Sequence, residues 1–288
     1  MSPKNRGDRI QLLHKTVTKH FTPAPPPEDR TVLEDLVYAC CLEDATYDAA
    51  DEAFHRLRES FFDWNEIRVT TISELSDALH NLPDPAAAAV RIKKNLQSLF
   101  ETRFSFDIDD LVKMNQGKAV QELEKLGGMS KFVLGYTTQV ALGGHSIPVS
   151  KTIMNVLLAT EIVSEAEAAK WLAPGLERSV PKTKGAAFGS CLHQLALEYE
   201  NSPTSKNVLA IMKEAGAPAP KKTATKEAKP ATKKKASAKS ATAKKEPAKK
   251  EPAEKSEPKK TAAKKAPAAK KAPAKKAPAK KSTKKKPR

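Results

Sequence analysis

Between residues 31 and 216 the apolar positions recur every three or four residues, the spacing of one face of an α-helix. In the first such segment Leu33, Leu36 and Cys40 fall on the same side. Further segments of this kind, about ten in all, follow one another through short polar turns. No stretch alternates apolar and polar residues over the length of a strand. The pattern therefore predicts an all-α domain.

Residues that favour helix ends occur where these segments begin and stop. Thr31 precedes the first segment as a capping residue, and Asp84 precedes Pro85 at another predicted start. Ser202 is the predicted cap of the last helix, and Gly216 is its predicted stop. These signals place the domain at residues 31–216.

The chain outside this domain has a different composition at each end. Residues 1–30 end in the proline-rich "TPAPPPEDR" and are predicted to be a lead-in strap rather than an element. Residues 217–288 form a Lys/Ala/Pro-rich tail with no aromatic residue. Such a composition cannot bury enough apolar surface to offset chain entropy, so the tail is expected to be disordered.

The positive charge of the chain belongs entirely to this tail. The whole chain carries a net charge of +17, with 51 basic and 34 acidic residues. Residues 221–288 contain 27 of the basic and 5 of the acidic residues, a net charge of +22, which leaves −5 for the rest. The tail is therefore expected to bind double-stranded DNA through phosphate contacts, without reading bases. It includes Lys264, Lys265, Lys275 and Lys276 in Lys-Lys-Ala-Pro repeats.

A second candidate for DNA contact is the glycine-containing turn in "KLGGMSKF", between two predicted helices within residues 117–142. A helix, a hairpin and a second helix direct backbone N–H groups toward an anion at the second helix's N-terminus. Glycine would provide positive φ and close approach of a phosphate. An ordinary helix connection with a glycine cap is the alternative. The predicted contact residues are Gly127, Gly128, Met129, Ser130 and Lys131.

This hairpin, the helix after it, a Gly-Gly turn and "IPVSKTIMNVL" resemble the helix-hairpin-helix (HhH-GPD) DNA glycosylase superfamily, endonuclease III in particular. The resemblance extends from about Leu33 to Tyr199. It implies a two-lobed α-helical fold with a DNA cleft between the lobes, and DNA glycosylase and abasic-site lyase activity in base excision repair. The tail resembles those of linker histones.

The residues that the family uses for chemistry are replaced in this chain. The nucleophilic lysine falls at Phe132, which has no electron pair to donate, and the catalytic aspartate falls at Ser150. The glutamine that fills the gap left by a flipped base falls near Cys40. The four-cysteine iron–sulfur motif has no counterpart after Cys191, so no cofactor and no metal is expected. Catalysis is therefore disfavoured.

Neighbouring side chains do not replace them in the sequence. Lys131 and Lys151 are each one helical step from the required positions, which turns a side chain by about 100°. Lys131 is thus expected to contact phosphate or solvent, and His145 to be a surface or capping residue. No acidic residue follows Ser150 until Glu161.

Composition also limits the compartment. The three cysteines, two of them adjacent, do not form a disulfide framework and are predicted to be reduced and buried. No apolar run reaches the length of a membrane span, which is about 20 residues, and the N-terminus lacks the features of a secretion signal. We expect a cytoplasmic, nucleoid-associated protein with no membrane contact.

Three hypotheses follow from these observations. The first is a DNA-binding protein of endonuclease III-like fold that has lost catalysis and binds DNA nonspecifically through its tail. The second is an active, divergent glycosylase or lyase of base excision repair. The third is a protein-interaction scaffold that the tail tethers to DNA, with partners that the sequence does not identify.

Removal of residues 221–288 should abolish most of the salt-sensitive DNA affinity, because each phosphate contact contributes about 0.9 to the slope of log affinity against log salt. Titration of duplex DNA at several salt concentrations, with the full chain and the shortened chain, measures this slope. An unchanged slope would refute the role of the tail.

Overall fold

A computed structural model describes residues 5–25 and 29–218. Within these residues every regular element is helical, which confirms the all-α prediction. The tail beyond residue 218, including all four lysines named above, lies outside the described residues. The helices are α1 (Arg6–His20), α2 (Val32–Leu42), α3 (Tyr47–Ser60), α4 (Trp64–Val69), α5 (Ile72–Ala78), α6 (Pro85–Arg103), α7 (Asp110–Lys113), α8 (Gln116–Glu124), α9 (Lys131–Val140), α10 (Lys151–Ala159), α11 (Glu165–Ala168), α12 (Leu176–Ser179), α13 (Lys182–Asn201) and α14 (Lys206–Glu214).

Side-chain caps fix several of the helix starts. The Thr31 side chain accepts a hydrogen bond from the backbone N–H of Glu34. In turn, the Glu34 carboxylate accepts a hydrogen bond from the backbone N–H of Thr31. Asp84 caps α6, with Pro85 in its first turn. Both starts were predicted from the sequence and are confirmed. None of the described helices is both long and apolar enough to cross a membrane.

The helices pack as two lobes. In the first lobe α2 contacts α3, α6 and α9, α6 also contacts α4 and α5, and α8 packs between α7 and α9. In the second lobe α13 contacts α1, α10 and α14, and α1 also packs on α12 and α14. The first lobe is continuous in sequence, whereas the second combines the beginning and the end of the described chain.

The prediction that residues 1–30 form only a strap is wrong, because Arg6–His20 is a helix of 15 residues. Its buried positions include Ile10, Leu13 and Val17, which have helical spacing and face α13 and α14. Only residues 21–25 are extended. The apolar stripe of this helix precedes the proline run on which the prediction of a strap rested.

The end of the chain's folded part also differs from expectation. α13 continues through Asn201, so Ser202 is a C-cap rather than the start of the last helix. α14 begins at Lys206. Gly216 follows α14 with φ of +93°, which confirms it as the stop.

One glycine of the hairpin, Gly128, packs closely against α6. Neither Gly127 nor Gly128 is among the glycines with positive φ, so the expectation of a left-handed turn here is wrong. A Cβ added to Gly128 would lie 2.2 Å from the carbonyl oxygen of Arg91 and 2.7 Å from Nδ2 of Asn95. Gly128 is therefore required because the hairpin touches the backbone of α6.

Gly128→Ala should lower the free energy of unfolding by about 1–3 kcal/mol, because the methyl group must displace the α6 backbone. Gly127→Ala is the matched control, since its added Cβ meets no atom closer than 3.9 Å. It should be neutral or stabilise by up to about 1 kcal/mol. Urea denaturation of both variants measures the difference, and equal effects would contradict the packing role.

Candidate functional site

A half-buried polar contact links the hairpin to the end of α2. Ser130 caps α9, accepting from the backbone N–H of Val133 at 3.0 Å, and its hydroxyl donates to Oε2 of Glu43 at 2.9 Å. Nε of Arg91 lies 3.1 Å from the same carboxylate, as an ion pair whose N–H is not directed for a hydrogen bond. Burial raises the pKa of Glu43, and Arg91 and Ser130 oppose this rise. The Ser130 hydroxyl therefore already has both a hydrogen-bond donor and an acceptor as partners within the protein.

The five predicted contact residues differ in their access to solvent. Gly127 and Lys131 are exposed, and Met129 and Ser130 are half-buried. Gly128 is buried against α6. Its side of the turn therefore cannot approach a phosphate, contrary to the expectation from the sequence. The role of these residues in binding DNA stays a prediction.

Acidic residues of α8 partly neutralise the lysines near the hairpin. Nζ of Lys125 lies 2.6 Å from Glu122, and Nζ of Lys131 lies 4.0 Å from Glu124. These side chains are exposed enough that the pairs contribute little to stability. They do reduce the net positive charge that this surface can offer to an anion.

Phe132, at the start of α9, is a core residue. It is only 2% exposed. Its ring stacks on Tyr136 with centroids 6.3 Å apart and lies 5.5 Å from the imidazole of His193 in α13. The first turn of α9 therefore directs an aromatic ring, rather than a polar group, into the junction between the lobes.

His193 joins the two lobes at this junction. Its Nε2 donates to the carbonyl oxygen of Ala45 at 2.7 Å, while its Nδ1 has no partner among the described residues. Tyr47 also packs against this ring, edge-on with the ring centroids 5.6 Å apart. Burial lowers the pKa of His193, although the Ala45 carbonyl and Asp44 oppose this shift. The imidazole is therefore neutral in the folded protein near pH 7.

The start of α10 is occupied by a chain of hydroxyl groups that ends on a carboxylate. Ser150 is fully buried and caps α10. Its hydroxyl lies 2.9 Å from Oγ1 of Thr152, which in turn donates to Oδ1 of Asp44 at 2.7 Å. Asp44 has a φ of +61°, a left-handed conformation that costs about 1 kcal/mol or more for such a residue. The fold thus brings a carboxylate to the start of α10 from another segment.

No protein-family model and no curated protein sequence matches the chain. Solved structures do match it. A trapped endonuclease III–DNA covalent intermediate with an estranged adenine has a TM-score of 0.52 at 15% identity, covering 73% of this chain and 96% of that one. A non-covalent endonuclease III–DNA complex has a TM-score of 0.51 at 15% identity, with the same coverage. A thermostable thymine-DNA glycosylase has 0.47 at 16%, covering 66% and 85%.

The chain has the fold of endonuclease III. The expected two-lobed, HhH-GPD-type fold is thereby confirmed, with the hairpin between α8 and α9 and the lobes meeting beside His193.

Phe132 and Ser150 are both buried in the endonuclease III-like fold. Their replacement of catalytic residues stays a prediction, and their surroundings were not predicted from the sequence. Asp44 was not predicted from the sequence around Ser150, because Asp44 precedes its partner Thr152 by 108 positions. The sequence feature that points to Asp44 is the acidic "LEDAT" turn directly after α2, because an acidic residue there reaches the same junction. His193 was not predicted as a site residue, because a histidine inside an apolar helix is typical of the core. His193 is in fact also buried in the core.

The remaining candidates have structural contacts. His145 donates from Nε2 to the carbonyl oxygen of Glu177 at 2.7 Å, which links the loop after α9 to α12. Lys151 is exposed. Cys40 is fully buried, and Nδ2 of Asn95 lies 3.6 Å from its sulfur, so it cannot enter a DNA duplex.

An iron–sulfur cluster of the four-cysteine kind does not fit this chain. The three cysteines are free and buried, with Cys40 and Cys41 in α2 of the first lobe and Cys191 in α13 of the second. Burial raises the pKa of Cys40 to about 12 and that of Cys191 to about 11, which favours thiols over metal-binding thiolates. No three metal-ligating side chains converge within the described residues.

His193→Gln should destabilise the protein by about 2 kcal/mol at pH 7.5, since it disturbs the bond to Ala45 and the ring contacts. The folded pKa of His193 is below its unfolded value. Its contribution is therefore present above the unfolded pKa and lost as the pH falls, because the unfolded state binds the proton first.

The difference in unfolding free energy between wild type and His193→Gln should thus shrink between pH 7.5 and pH 5. Urea denaturation across this range measures it. His55→Gln, at an exposed side chain of α3, is the matched control. A constant difference would show that His193 does not titrate as described.

Proposed function

We propose that this protein binds duplex DNA on an endonuclease III frame and does not excise bases. The observation that carries the proposal is the buried ring of Phe132 at the position where the resemblance places the nucleophilic lysine. Lyase chemistry needs an amine lone pair that attacks the sugar carbon and forms a Schiff base. A phenyl ring packed on His193 and Tyr136 offers none and also fills the space.

Nearby lysines do not supply the missing amine. Lys131 precedes Phe132 by one helical step of about 100°, and its side chain is 61% exposed beside Glu124. Lys151 follows Ser150 and is also exposed. Both amines therefore face solvent, while the junction between the lobes holds an aromatic ring.

Excision without a lysine is the second candidate function, and Asp44 is the observation that favours it. A carboxylate at the start of α10 could stabilise positive charge on a sugar during base release. Against this, the Asp44 carboxylate already accepts the Thr152 hydroxyl, and also the backbone N–H of Thr152 at 3.3 Å. It thus acts as a cap of α10, which supports the binding function over the enzymatic one.

We assign most of the DNA-binding affinity to the tail. The rest of the chain has a net charge of −5, and the hairpin lysines have acidic neighbours, whereas the tail has a net charge of +22. Such a polycation neutralises phosphates without selecting bases, which predicts largely nonspecific binding. Tethering raises the local concentration of a weak hairpin contact. A protein of this kind belongs on the nucleoid, with a role in DNA repair or organisation.

Incubation with duplex DNA that bears an abasic site, in the presence of borohydride, should trap no covalent adduct, because no amine reaches the sugar. A bifunctional glycosylase serves as the positive control. An adduct that disappears in Lys131→Ala would overturn the proposal.

Base release from duplexes that carry damaged bases tests the second candidate. We expect none above background for wild type, and therefore no change in Asp44→Asn. Release that Asp44→Asn lowers by a factor of about 10 or more, equal to about 1.4 kcal/mol of barrier, would establish the enzyme instead.

A further inference from the structure

A cavity of about 880 Å³ lies beside the hairpin, between α8, α9 and the segment 171–177. The loop after α9 also lines it. The lining positions of α9 have the spacing of one helical face, and they are Lys131, Leu134, Gly135 and Thr138. Phe132 and Tyr136 do not line this cavity. It therefore borders the hairpin and lies on a different face of α9 from the junction of the two lobes.

Trp171 provides an exposed aromatic ring at this cavity. It is 46% exposed, and its indole makes no ring contact or hydrogen bond within the described residues. The backbone N–H groups of Trp171 and Leu172 donate to the carbonyl oxygens of Ala168 and Glu167 at 2.9 and 3.0 Å. These bonds form a Schellman motif, in which Trp171, with φ of +54°, takes the position where glycine is usual. A bulky residue in this conformation is strained, and such strain is typical of functional sites.

Two polar side chains without partners meet inside the cavity. Thr138 is 6% exposed, and its Oγ1 has no hydrogen-bond partner among the residues that the structure describes. A Cβ added to Gly144 would lie 2.0 Å from Nε2 of Gln116 and 2.6 Å from Cγ2 of Thr138, so the two side chains are adjacent. The Gln116 amide makes no hydrogen bond in the same part of the chain. A buried hydroxyl of this kind favours a ligand that bonds to it.

The charges of the lining favour a neutral ligand with N–H groups. Nζ of Lys131 lies 4.0 Å from Glu124, so these two charges offset each other. The Glu177 carboxylate has no ion pair or hydrogen bond within residues 5–25 and 29–218. It disfavours a phosphate inside the cavity. A carboxylate can, however, accept hydrogen bonds from the exocyclic amine of a nucleobase.

We propose that this cavity binds a single unpaired nucleobase, which stacks on Trp171 and forms hydrogen bonds with Gln116 and Thr138. A base has the two features that this lining matches, a flat π face and an edge with donors and acceptors. Stacking on aromatic side chains is a common way in which proteins hold unstacked bases. A cavity of about 880 Å³ is within the range of sites for small organic ligands.

The base can come from a DNA strand or from a free nucleoside or nucleotide. Lys131 belongs to both the hairpin and the cavity, so a strand whose phosphate contacts the hairpin can place one unpaired base in the cavity. This DNA source rests on the proposed function. Binding of a free nucleoside does not depend on it.

Saturation-transfer NMR of the four uncharged deoxynucleosides, with the full-length protein, tests the cavity. Nucleosides carry no phosphate, so the positive charge of the tail does not attract them. We expect saturable binding, weakest for thymidine because thymine has no exocyclic amine for Glu177. The absence of saturable binding for all four would overturn the proposal, and equal binding of all four would refute the role of Glu177.

Thr138→Val removes the hydroxyl and nearly keeps the shape of the side chain. It should weaken nucleoside binding by about two- to ten-fold, the effect of one lost hydrogen bond. Thr137→Val is the matched control, because Thr137 is fully buried in the same helix, its Oγ1 is also unpaired among the described residues, and it does not line the cavity. An equal loss of affinity in both variants would show that the Thr138 hydroxyl does not contact the base.

Trp171→Gly separates binding from folding. Glycine adopts a positive φ without strain, so this variant should be at least as stable as wild type in urea denaturation. Its affinity for nucleosides should fall by about five-fold or more, because the stacking surface is lost. A variant that is less stable and binds as wild type does would assign Trp171 a structural role and refute the stacking.

Photo-cross-linking tests DNA as the source of the base. Duplex DNA with one unpaired 5-iodocytosine is irradiated together with the full-length protein, and mass spectrometry locates the bond that forms to an adjacent aromatic ring. We expect a cross-link to Trp171, and none when the same base is paired with guanine. Equal cross-linking of paired and unpaired bases would refute the DNA source. If the protein bound no DNA, the proposed function would fall, and the nucleoside titrations would still decide whether the cavity binds a base.

Discussion

The contact between the ring of Phe132 and the imidazole of His193 is the constraint on which the junction of the two lobes depends. It fixes the first turn of α9 against α13, and the His193 bond to Ala45 fixes α13 against the end of α2. Because His193 is buried at this junction, its imidazole is neutral near pH 7, and burial favours a partner for each polar group, which Nε2 has in Ala45 and Nδ1 lacks among the described residues. The chain of hydroxyls from Ser150 to Asp44 meets the same requirement on α10.

A catalytic lysine in this place would impose the opposite demand. A catalytic amine in a cleft lowers the stability of the fold, because the amine must lose its proton and its water shell. Burial of an aromatic ring raises the stability instead. A sequence released from selection for catalysis is therefore expected to fill such a junction with apolar side chains. The helices around it keep their order because their packing depends on apolar stripes that chemistry does not touch. The fold of this chain can therefore form without a lysine at this position.

Patterns among residues that are close in sequence are sufficient to predict most of the fold, but they predict little of the site. Thr31, Asp84 and Pro85 mark helix starts because caps act within one turn. The need for glycine at residue 128 depends on the backbone of α6, a separate and earlier segment, so the hairpin sequence alone suggested the wrong reason for it. Asp44 reaches α10 across 108 positions of sequence, which no spacing argument could connect. Helix α1, by contrast, has a local signal in its sequence, the helical spacing of Ile10, Leu13 and Val17.

The composition of the second lobe has a consequence for the order in which the protein is made. α2 to α9 form a continuous lobe that can fold as soon as it leaves the ribosome, since domains fold as units during synthesis. α1 is made before α2, yet its packing partners are α12, α13 and α14, which follow the first lobe in sequence. The long C-terminal segment is made after both, so α14 leaves the ribosome while translation continues. The second lobe, which needs α1, α13 and α14 together, can thus close while later residues are still being synthesised.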